Sequence, residues 1–245
     1  MIATELPRQG NFLFRHRSYI PIVMVVPLGL ALARLSTASH LSIASAWWSF
    51  TCFAISLSGL AVRGLVIGFV PRGTSGRNTR EQRASVLNTT GMYSIVRHPL
   101  YLGNFLIWLG IVLDVADFAV AALFLFAYGF YYERIMAAEE TYLAERFGPD
   151  YRTWAKETPA FVPRVTNWQA PALTFSVRNV LRREYCALLG ITSGFAILDL
   201  VRNGLITGHW KPQPVWLLIS AVGLLAFVIL RWLKKHTELL RVAGR

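Results

Sequence analysis

Two short stretches of the sequence combine side chains that could do chemistry. The first, Gly91–Gly103, reads GMYSIVRHPLYLG and sets an arginine, a histidine and two tyrosines at the edge of an apolar run. The second is the pair Glu139–Glu140, about forty residues further along. Pro99 favours the first position of a helix, and free backbone N–H groups at a helix start can bind hydroxyl, carboxylate or phosphate groups. The stretch therefore predicts half of a cofactor pocket, although a structural turn fits the same residues.

The spacing of the glutamate pair leaves its orientation open. Residues four apart share a helix face, and the segment has helical spacing and strong helix-forming residues. Ile135, Glu139 and Leu143 form one stripe with a carboxylate on an apolar face, and Met136 with Glu140 forms another. Two solvated glutamates on a helix surface also fit, and spacing alone favours that simpler interpretation.

Composition places this 245-residue chain among membrane proteins. It is 54% hydrophobic and 16% charged, and the apolar residues form long runs, as in transmembrane helices. The formal net charge of +12 fits basic loops that face an anionic membrane leaflet. It does not indicate nucleic-acid binding, because no block of five or more basic residues occurs. The two cysteines and five histidines are scattered, so we expect neither a disulfide nor a metal site.

Hydropathy predicts an all-α, polytopic helical bundle with about six membrane segments. These are Tyr19–Leu35, Ala46–Val70, Leu100–Val115, Phe118–Tyr132, Tyr185–Ile206 and Pro214–Leu233. The third and fourth are short for a full crossing, and only the turn Asp114–Asp117 lies between them, so we expect a tight helical hairpin. A helix over Arg134–Phe147 is predicted to stop at Gly148 and Pro149. Residues 149–184 are predicted to be irregular and amphipathic.

The basic residues predict the orientation of these segments. Six crossings with an internal N-terminus place 21 of the 25 Lys and Arg residues on the inner side, in keeping with the positive-inside rule. Both candidate site segments, 71–101 and 134–152, then lie on the cytoplasmic side. Residues 1–18 are predicted to be a short cytoplasmic arm. The chain is therefore expected to be a multi-pass membrane protein with both termini cytoplasmic.

Arg63, Asp199 and Arg202 are charged residues that lie inside predicted spans. A charge at the centre of a bilayer costs about 3 kcal/mol or more, so Arg63 should face a cavity or a partner, or extend toward the nearer interface. Asp199 and Arg202 are three residues apart, which suits a local ion pair. Alternatively, all three residues line a cavity for a lipid headgroup.

The two reactive stretches belong to a longer pattern. It reads Gly-x-Tyr-x-x-x-Arg-His-Pro-x-Tyr-x-Gly at 91–103, Glu-Glu at 139–140 and Phe-Gly-x-x-Tyr at 147–151. This pattern, covering about residues 71–164, resembles the isoprenylcysteine carboxyl methyltransferase and phospholipid methyltransferase superfamily. Members of that superfamily are integral-membrane enzymes that use S-adenosylmethionine. The resemblance implies three regions: 1–70 with two spans, a methyltransferase core at 71–170 and a two-helix extension at 171–245.

The resemblance also implies a set of site residues, carried over position by position. It selects Glu139 rather than Glu140 as the glutamate that contacts the cofactor. It implies that Arg134 binds the anionic group of the substrate and that His98 contacts the reacting groups. The residues implied to bind S-adenosylmethionine are Asn78, Ser85, Val86, Leu87, Asn88, Tyr93, His98, Pro99, Leu100, Tyr101 and Glu139.

The activity implied is methyl transfer to an anionic or polar group of a membrane lipid or lipidated substrate. The segment 88–93 and the two additional spans resemble a bacterial branch that includes lipid A phosphate methyltransferases, which indicates the bacterial inner membrane. An isoprenylcysteine carboxylate and an aminophospholipid are the nearest alternative acceptors. Membrane sterol reductases, which bind NADPH, share an Arg-His-x-x-Tyr motif and are a second class. A scaffold with a degenerate site is a third.

Overall fold

A computed structural model of the chain describes residues 2–16, 23, 25–37, 46–71 and 84–244. The described residues form α-helices joined by loops and a 3₁₀ turn at Val165–Asn167, without a β-strand. The all-α prediction is therefore confirmed for this part of the chain. The helices are α1 (Ile2–His16), α2 (Val25–Thr37), α3 (Ala46–Phe69), α4 (Met92–Ile95), α5 (Pro99–Asp114), α6 (Phe118–Glu157), α7 (Val177–Thr207) and α8 (Pro214–His236).

Four described helices, α3, α6, α7 and α8, are long and apolar enough to cross a membrane, and α5 is a shorter apolar helix. The predicted polytopic helical bundle is confirmed. The first predicted span, Tyr19–Leu35, falls partly outside the described residues, and α2 covers its second half. The remaining predicted spans each lie within one of the five apolar helices or end one residue beyond it.

The predicted helical hairpin is present between α5 and α6. Ala116 has a left-handed backbone conformation with φ of 58°, which lets the chain reverse within a few residues. The side chain of Asp117 then accepts a hydrogen bond from the backbone N–H of Val120 at 3.0 Å and so caps the start of α6.

One predicted boundary is confirmed and one prediction is wrong. Gly148, with φ of 55° and ψ of −122°, interrupts the helix where the stop was predicted, and a second helical segment follows as far as Glu157, so α6 is two helical segments joined at a kink. Glycine tolerates this conformation, and proline suits the first turn of the new segment. The irregular structure predicted for 149–184 is wrong in two places, because residues 149–157 are helical and α7 begins at Val177, where the side chain of Ser176 accepts a hydrogen bond from Asn179 N–H.

The N-terminal arm forms the amphipathic helix α1, which packs along α6. Gly10 permits this contact, because a Cβ there would collide with the Arg134 carbonyl and lie 2.8 Å from the Cβ of Ala138. Phe14 is buried in the same cluster as Tyr128, Tyr132 and Ile135 of α6. The arm therefore supports the helix that carries the glutamate pair.

Helices α3 and α5 make the most extensive contact in the bundle because glycines remove side chains from their interface. Cβ atoms at Gly59 and Gly110 would collide with backbone atoms of the opposite helix. The hydroxyl of Ser56 donates a hydrogen bond across the interface to the carbonyl of Ile107 at 2.8 Å. This close packing sets the position of the α5 N-terminus, which carries His98 and Tyr101.

The segments that carry the predicted site meet at one end of the bundle, which we call the site end. The backbone N–H groups of Arg97 and His98 donate to the carbonyls of Pro159 and Ala160 at 2.9 and 3.2 Å. Residues 158–169 therefore fold over the Gly91–Gly103 stretch. At the same end the start of α7 is joined to the end of α3, where the Asn179 amide donates to the Ile67 carbonyl at 2.8 Å.

Candidate functional site

The start of α5 and the middle of α6 form one cluster of hydrogen-bonded side chains. The hydroxyl of Tyr101 donates to a carboxylate oxygen of Glu139 at 2.7 Å. The imidazole of His98 lies between the two glutamates, with Nδ1 3.5 Å from Glu139 and Nε2 3.0 Å from Glu140. Residues that were forty positions apart in sequence thus share one site, as predicted.

Both glutamates point into this cluster. Their side chains are similarly exposed, 25% for Glu139 and 28% for Glu140. Neighbouring residues on a helix differ in direction by about 100°, so the two carboxylates can flank the same imidazole ring from two sides. The structure therefore places Glu140 in the cluster beside Glu139, and the assignment of Glu139 as the glutamate that contacts the cofactor stays a prediction.

Arg97 and Tyr151 complete the cluster on the side of Glu140. One terminal nitrogen of Arg97 lies 3.0 Å from the Glu140 carboxylate, and the other donates to the Ala155 carbonyl at 2.7 Å. The Nε of Arg97 and the hydroxyl of Tyr151 are buried and have no hydrogen-bond partner among the described residues. Buried polar atoms without partners are costly, which favours a ligand that supplies partners there.

The two glutamates control the charge of His98. Burial by itself lowers the pKa of the imidazole, but the hydrogen bonds and negative charges of Glu139 and Glu140 outweigh burial and raise that pKa above its ordinary value. The imidazolium form donates from both ring nitrogens. The two carboxylates therefore favour the protonated, donating form of His98.

A pocket of about 360 Å³ lies beside the cluster, and part of the predicted cofactor loop lines its wall. Val86, Leu87, Asn88 and Tyr93 line it, together with residues from the end of α3 and the segment 171–173. Burial raises the pKa of the Tyr93 phenol, and the negative charge of Glu139 raises it further. Tyr93 therefore lies between the pocket and the glutamates.

Two residues of the predicted loop are not placed in this pocket. Ser85 is exposed, and the pocket is lined from Val86 onward. Asn78 lies outside the described residues. Of the predicted loop residues, Val86, Leu87 and Asn88 are the ones that line the pocket.

Pro99 and Leu100 have structural positions at the start of α5. Pro99 occupies the first turn of the helix, as predicted, and its side chain is fully buried. Leu100 packs with Tyr93 against the apolar cluster at the end of α3. Both residues thereby orient His98 and Tyr101 on either side of them.

We expected free backbone N–H groups at this helix start, and for four residues that expectation is wrong. The N–H groups of Arg97 and His98 donate to carbonyls of the 159–160 segment. The N–H groups of Tyr101 and Leu102 both donate to the His98 carbonyl. The chain folds back over the helix start and takes up these donors. Ligand recognition here depends on side chains instead.

Arg134 lies away from the glutamate cluster. Its guanidinium donates to the side chain of Gln9 at 2.9 Å and to the Phe130 carbonyl at 2.7 Å, and it rests over the Phe130 ring. Five residues separate it from Glu139, which corresponds to about 140° around the helix. Arg134 consequently faces α1 on the other side of α6.

Comparison with known proteins identifies relatives along most of the chain. A family model described as phospholipid methyltransferase matches residues 75–150. The chain is 30% identical over 213 residues to the nickel-cobalt-cadmium resistance protein NccN of Alcaligenes xylosoxydans xylosoxydans, covering 84% of this chain and 92% of that protein. No solved structure gives a significant match.

Two further relatives match shorter parts. The cobalt-zinc-cadmium resistance protein CzcN of Cupriavidus metallidurans is 30% identical over 156 residues, 64% of this chain and 68% of that protein. The protein-S-isoprenylcysteine O-methyltransferase of Schizosaccharomyces pombe is 30% identical over 87 residues, 36% of this chain and 37% of that protein. The matched range 75–150 contains both halves of the cluster, from Arg97 to Glu140.

Proposed function

Because the chain belongs to the isoprenylcysteine carboxyl methyltransferase and phospholipid methyltransferase superfamily, and so is an integral-membrane methyltransferase, we propose that it methylates an anionic oxygen of a membrane lipid or lipidated substrate. The methyl donor in this proposal is S-adenosylmethionine. The observation that carries the proposal is the cluster in which Tyr101 and His98 hold the paired carboxylates Glu139 and Glu140.

The side chains of the cluster fit the polar groups of S-adenosylmethionine. Glu139 and Glu140 would accept hydrogen bonds from its ammonium or ribose hydroxyl groups. The unpartnered Nε of Arg97 and hydroxyl of Tyr151 would bind its carboxylate. The pocket lined by Val86–Asn88 and Tyr93 offers apolar and aromatic contacts to its adenine ring. The bound cofactor would supply a methyl group activated by a sulfonium sulfur.

The charge of His98 supports an anionic acceptor. A carboxylate or phosphate oxygen is already a nucleophile near neutral pH, so the enzyme has only to hold it in line with the methyl group. A protonated amine would have to lose a proton first. The two glutamates favour the protonated form of the imidazole, which does not accept that proton, so O-methylation is favoured over phospholipid N-methylation.

The paired carboxylates also disfavour the NADPH-dependent alternative. NADPH carries several phosphate charges, and proteins bind phosphate groups with arginine, lysine or backbone N–H donors. At this site the backbone donors of Arg97, His98 and Tyr101 are taken by the chain itself. The two glutamates would repel the phosphates.

The distribution of basic residues supports one orientation of the chain. We propose that the site end lies on the cytoplasmic side of a bacterial inner membrane, with both termini cytoplasmic, because the segments on that side then carry most of the Lys and Arg residues. The cofactor would enter from the cytoplasm. The lipid would enter sideways from the bilayer between the helices.

Calorimetric titration of the purified protein with S-adenosylhomocysteine and with NADPH tests the cofactor. S-Adenosylhomocysteine should bind, and Glu139→Ala should weaken it by about 100-fold, since hydrogen bonds to charged groups are worth about 1.5–3 kcal/mol each. Glu145→Ala, an exposed position on the same helix, is the matched control and should bind like wild type. Tight binding of NADPH alone would refute the proposal.

Mass spectrometry of membrane lipids identifies the acceptor. We expect one lipid class to gain a single methyl mass in cells that express the wild-type chain and not in cells that express Glu139→Ala. A lipid phosphate is the favoured acceptor, with a lipid A phosphate as the specific case suggested by the sequence. A methyl gain on an amine headgroup would replace O-methylation with N-methylation.

The names of two relatives suggest a physiological consequence. NccN and CzcN are named for resistance to nickel, cobalt, zinc or cadmium, whereas no group of side chains that could hold a metal ion occurs in the described residues. Methylation of a lipid phosphate removes a negative charge, which weakens the attraction of divalent cations to the membrane surface. We therefore propose that methylation contributes to metal tolerance, measured as growth in nickel with wild-type or Glu139→Ala protein.

A further inference from the structure

A second polar cluster lies between the membrane helices, deeper in the bundle than His98. The Nε and one terminal nitrogen of Arg63 in α3 donate to the two carboxylate oxygens of Glu184 in α7, at 2.7 and 2.8 Å. Its other terminal nitrogen donates to the side-chain oxygen of Asn104 in α5 at 2.6 Å. Three helices therefore meet at one guanidinium.

The three residues lie at a similar depth below the site end. Arg63 is six residues before the end of α3, Asn104 five residues after the start of α5, and Glu184 seven residues after the start of α7. With a rise of 1.5 Å per residue, each lies about 8–11 Å from the end of its helix. This depth is one that a lipid headgroup can reach when its tail stays in the bilayer.

A continuous set of side chains connects this cluster to the paired glutamates. The Asn104 amide approaches the Tyr132 hydroxyl at 3.5 Å, and the Tyr132 ring contacts the Tyr101 ring with centroids 4.7 Å apart. Tyr101 in turn donates to Glu139. The guanidinium is thus two side chains away from the residue that holds the cofactor-binding carboxylate.

Gly103 makes room for Arg63 at this position. A Cβ at Gly103 would lie 2.5 Å from the Cγ of Arg63, so the arginine stem crosses α5 where α5 has no side chain. Gly103 belongs to the motif that was visible in the sequence, but its contact with Arg63 was not. The motif glycine therefore has a role in positioning a charge as well as in helix packing.

The cluster keeps a positive group accessible while burying its partner. The side chain of Arg63 is 20% exposed, whereas that of Glu184 is 5% exposed. Glu184 and Asn104 accept from three of the five N–H donors of the guanidinium. The other two have no partner among the described residues, so they can bind an anion. Ionisable residues inside membrane helices usually mark a functional path because they are costly to place there.

We propose that Arg63 binds the anionic headgroup of the methyl acceptor, a phosphate or carboxylate on a lipid, and that Glu184 and Asn104 orient it. This assignment rests on the proposed methyl transfer and names the acceptor site. It replaces Arg134, which faces α1. Arg63 and Glu184 both lie outside the matched range 75–150, so in this proposal the C-terminal extension, through Glu184, positions the arginine that binds the acceptor.

The test uses the purified full-length chain in neutral detergent, titrated by calorimetry with and without S-adenosylhomocysteine. The probes are dihexanoyl phosphatidic acid for a phosphate, N-acetyl-S-farnesylcysteine for a carboxylate, dihexanoyl phosphatidylcholine as the zwitterionic reference, and inorganic phosphate. Arg63→Gln should weaken binding of the anionic lipid probe by about 10- to 100-fold, the value of a charged hydrogen bond. Arg134→Gln is the matched control and should bind within about twofold of wild type.

Two further variants separate anion binding from a structural ion pair. Glu184→Gln should bind the anionic lipid at least as tightly as wild type, because a competing negative charge is removed. The double variant Arg63→Gln/Glu184→Gln leaves no unpaired charge in the bundle, so it should fold even if Arg63→Gln does not, and it should fail to bind the anion. Affinity for S-adenosylhomocysteine should stay at the wild-type value in each folded variant.

Several results would overturn the assignment. Wild-type lipid affinity in Arg63→Gln or in the double variant would do so, as would a loss confined to Arg134→Gln. Equal losses in the two single variants with recovery in the double variant would indicate a structural pair. Inorganic phosphate that binds as tightly as the lipid would indicate a site for free anions. If the wild-type protein does not bind S-adenosylhomocysteine, that result would instead refute the proposed function.

Discussion

The contacts between helices α3, α5 and α7 include one ion pair at each end of the bundle, and the two ion pairs differ in their exposure. At the site end, Arg63 pairs with Glu184 and is 20% exposed. At the opposite end, Arg202 pairs with Asp114 at 2.7 Å, with exposures of 6% and 3%. The first cluster can be reached by a ligand, whereas the second is closed.

The closed cluster joins three helices through backbone as well as side-chain oxygens. Arg202 donates to the carbonyl and to the carboxylate of Asp114, at 2.5 and 2.7 Å, and approaches the hydroxyl of Ser49. Asp199 accepts instead from the backbone and side chain of Gln213, at 2.6 and 3.1 Å. Two alternatives predicted from the sequence are therefore wrong. Arg202 pairs with Asp114 of α5 and not with Asp199, and it lies at the opposite end of the bundle from Arg63, so the three residues do not line one headgroup cavity.

The difference fits our proposal, in which the enclosed ion pair stabilises the bundle and the partly open pair binds the acceptor. The Asp114 carboxylate is buried with Arg202 as its charge partner, so removing Arg202 leaves an uncompensated charge. A partly open pair can exchange a contact for a ligand. Variants at the two ends should therefore separate stability from binding.

Arg202→Met should have the largest effect and should act on stability. It leaves Asp114 buried without a cation, which costs about 3–5 kcal/mol, and it should not change the affinity of the folded protein for S-adenosylhomocysteine. Thermal unfolding in detergent measures the loss. Arg241→Met removes an exposed pair and should change stability by no more than about 0.5 kcal/mol; equal effects would contradict the comparison.

Tyr101→Phe should change the affinity for the cofactor analogue more than it changes stability. It deletes the donor to Glu139, so affinity for S-adenosylhomocysteine should fall by about tenfold or more, as expected for a hydrogen bond to a charged group. Tyr131→Phe, whose hydroxyl donates to a backbone carbonyl in α1, is the control for removing a phenol hydroxyl. If the two variants bind the cofactor analogue equally, Tyr101 does not orient Glu139 for binding.

Gly110→Ala should destabilise the α3–α5 contact that links the two ends. The new methyl group meets Ser56 and the backbone of Cys52, and overpacking of this kind costs about 1–3 kcal/mol. Gly129→Ala lies in open space on α6 and should stabilise the helix by up to about 1 kcal/mol. The melting temperatures of these two variants test whether close helix packing, rather than glycine content, stabilises the bundle.

The pH dependence contributed by His98 should be the smallest effect. Its pKa is raised in the folded protein, so its stabilisation is fully present below the unfolded pKa of about 6.5 and is lost as pH rises through the folded pKa. The melting temperature of wild type should exceed that of His98→Gln most at acidic pH, and the gap should narrow toward alkaline pH. His209→Gln, at an exposed loop position, should show no such trend.

Much of the architecture was accessible from sequence because it depends on local patterns. Apolar runs predicted the membrane helices, and the short Asp114–Asp117 connection predicted the hairpin. The stop at Gly148 is confirmed, but the second helical segment after it was not predicted, because only the packing of the following residues decides whether the chain resumes a helix. The division into regions 1–70, 71–170 and 171–245 stays a prediction.

The sequence by itself determined the membrane class and predicted the two halves of the candidate site, since motif residues and hydropathy are properties of short segments. Tertiary structure decided that Glu139 and Glu140 both flank His98, that Arg134 faces α1, and which partners Arg63 and Arg202 take. Those outcomes depend on the rotation and relative depth of helices whose contacting residues lie 42, 88, 121 or 125 positions apart along the chain. Only packing sets these quantities, and here packing depends on where glycines let two backbones approach.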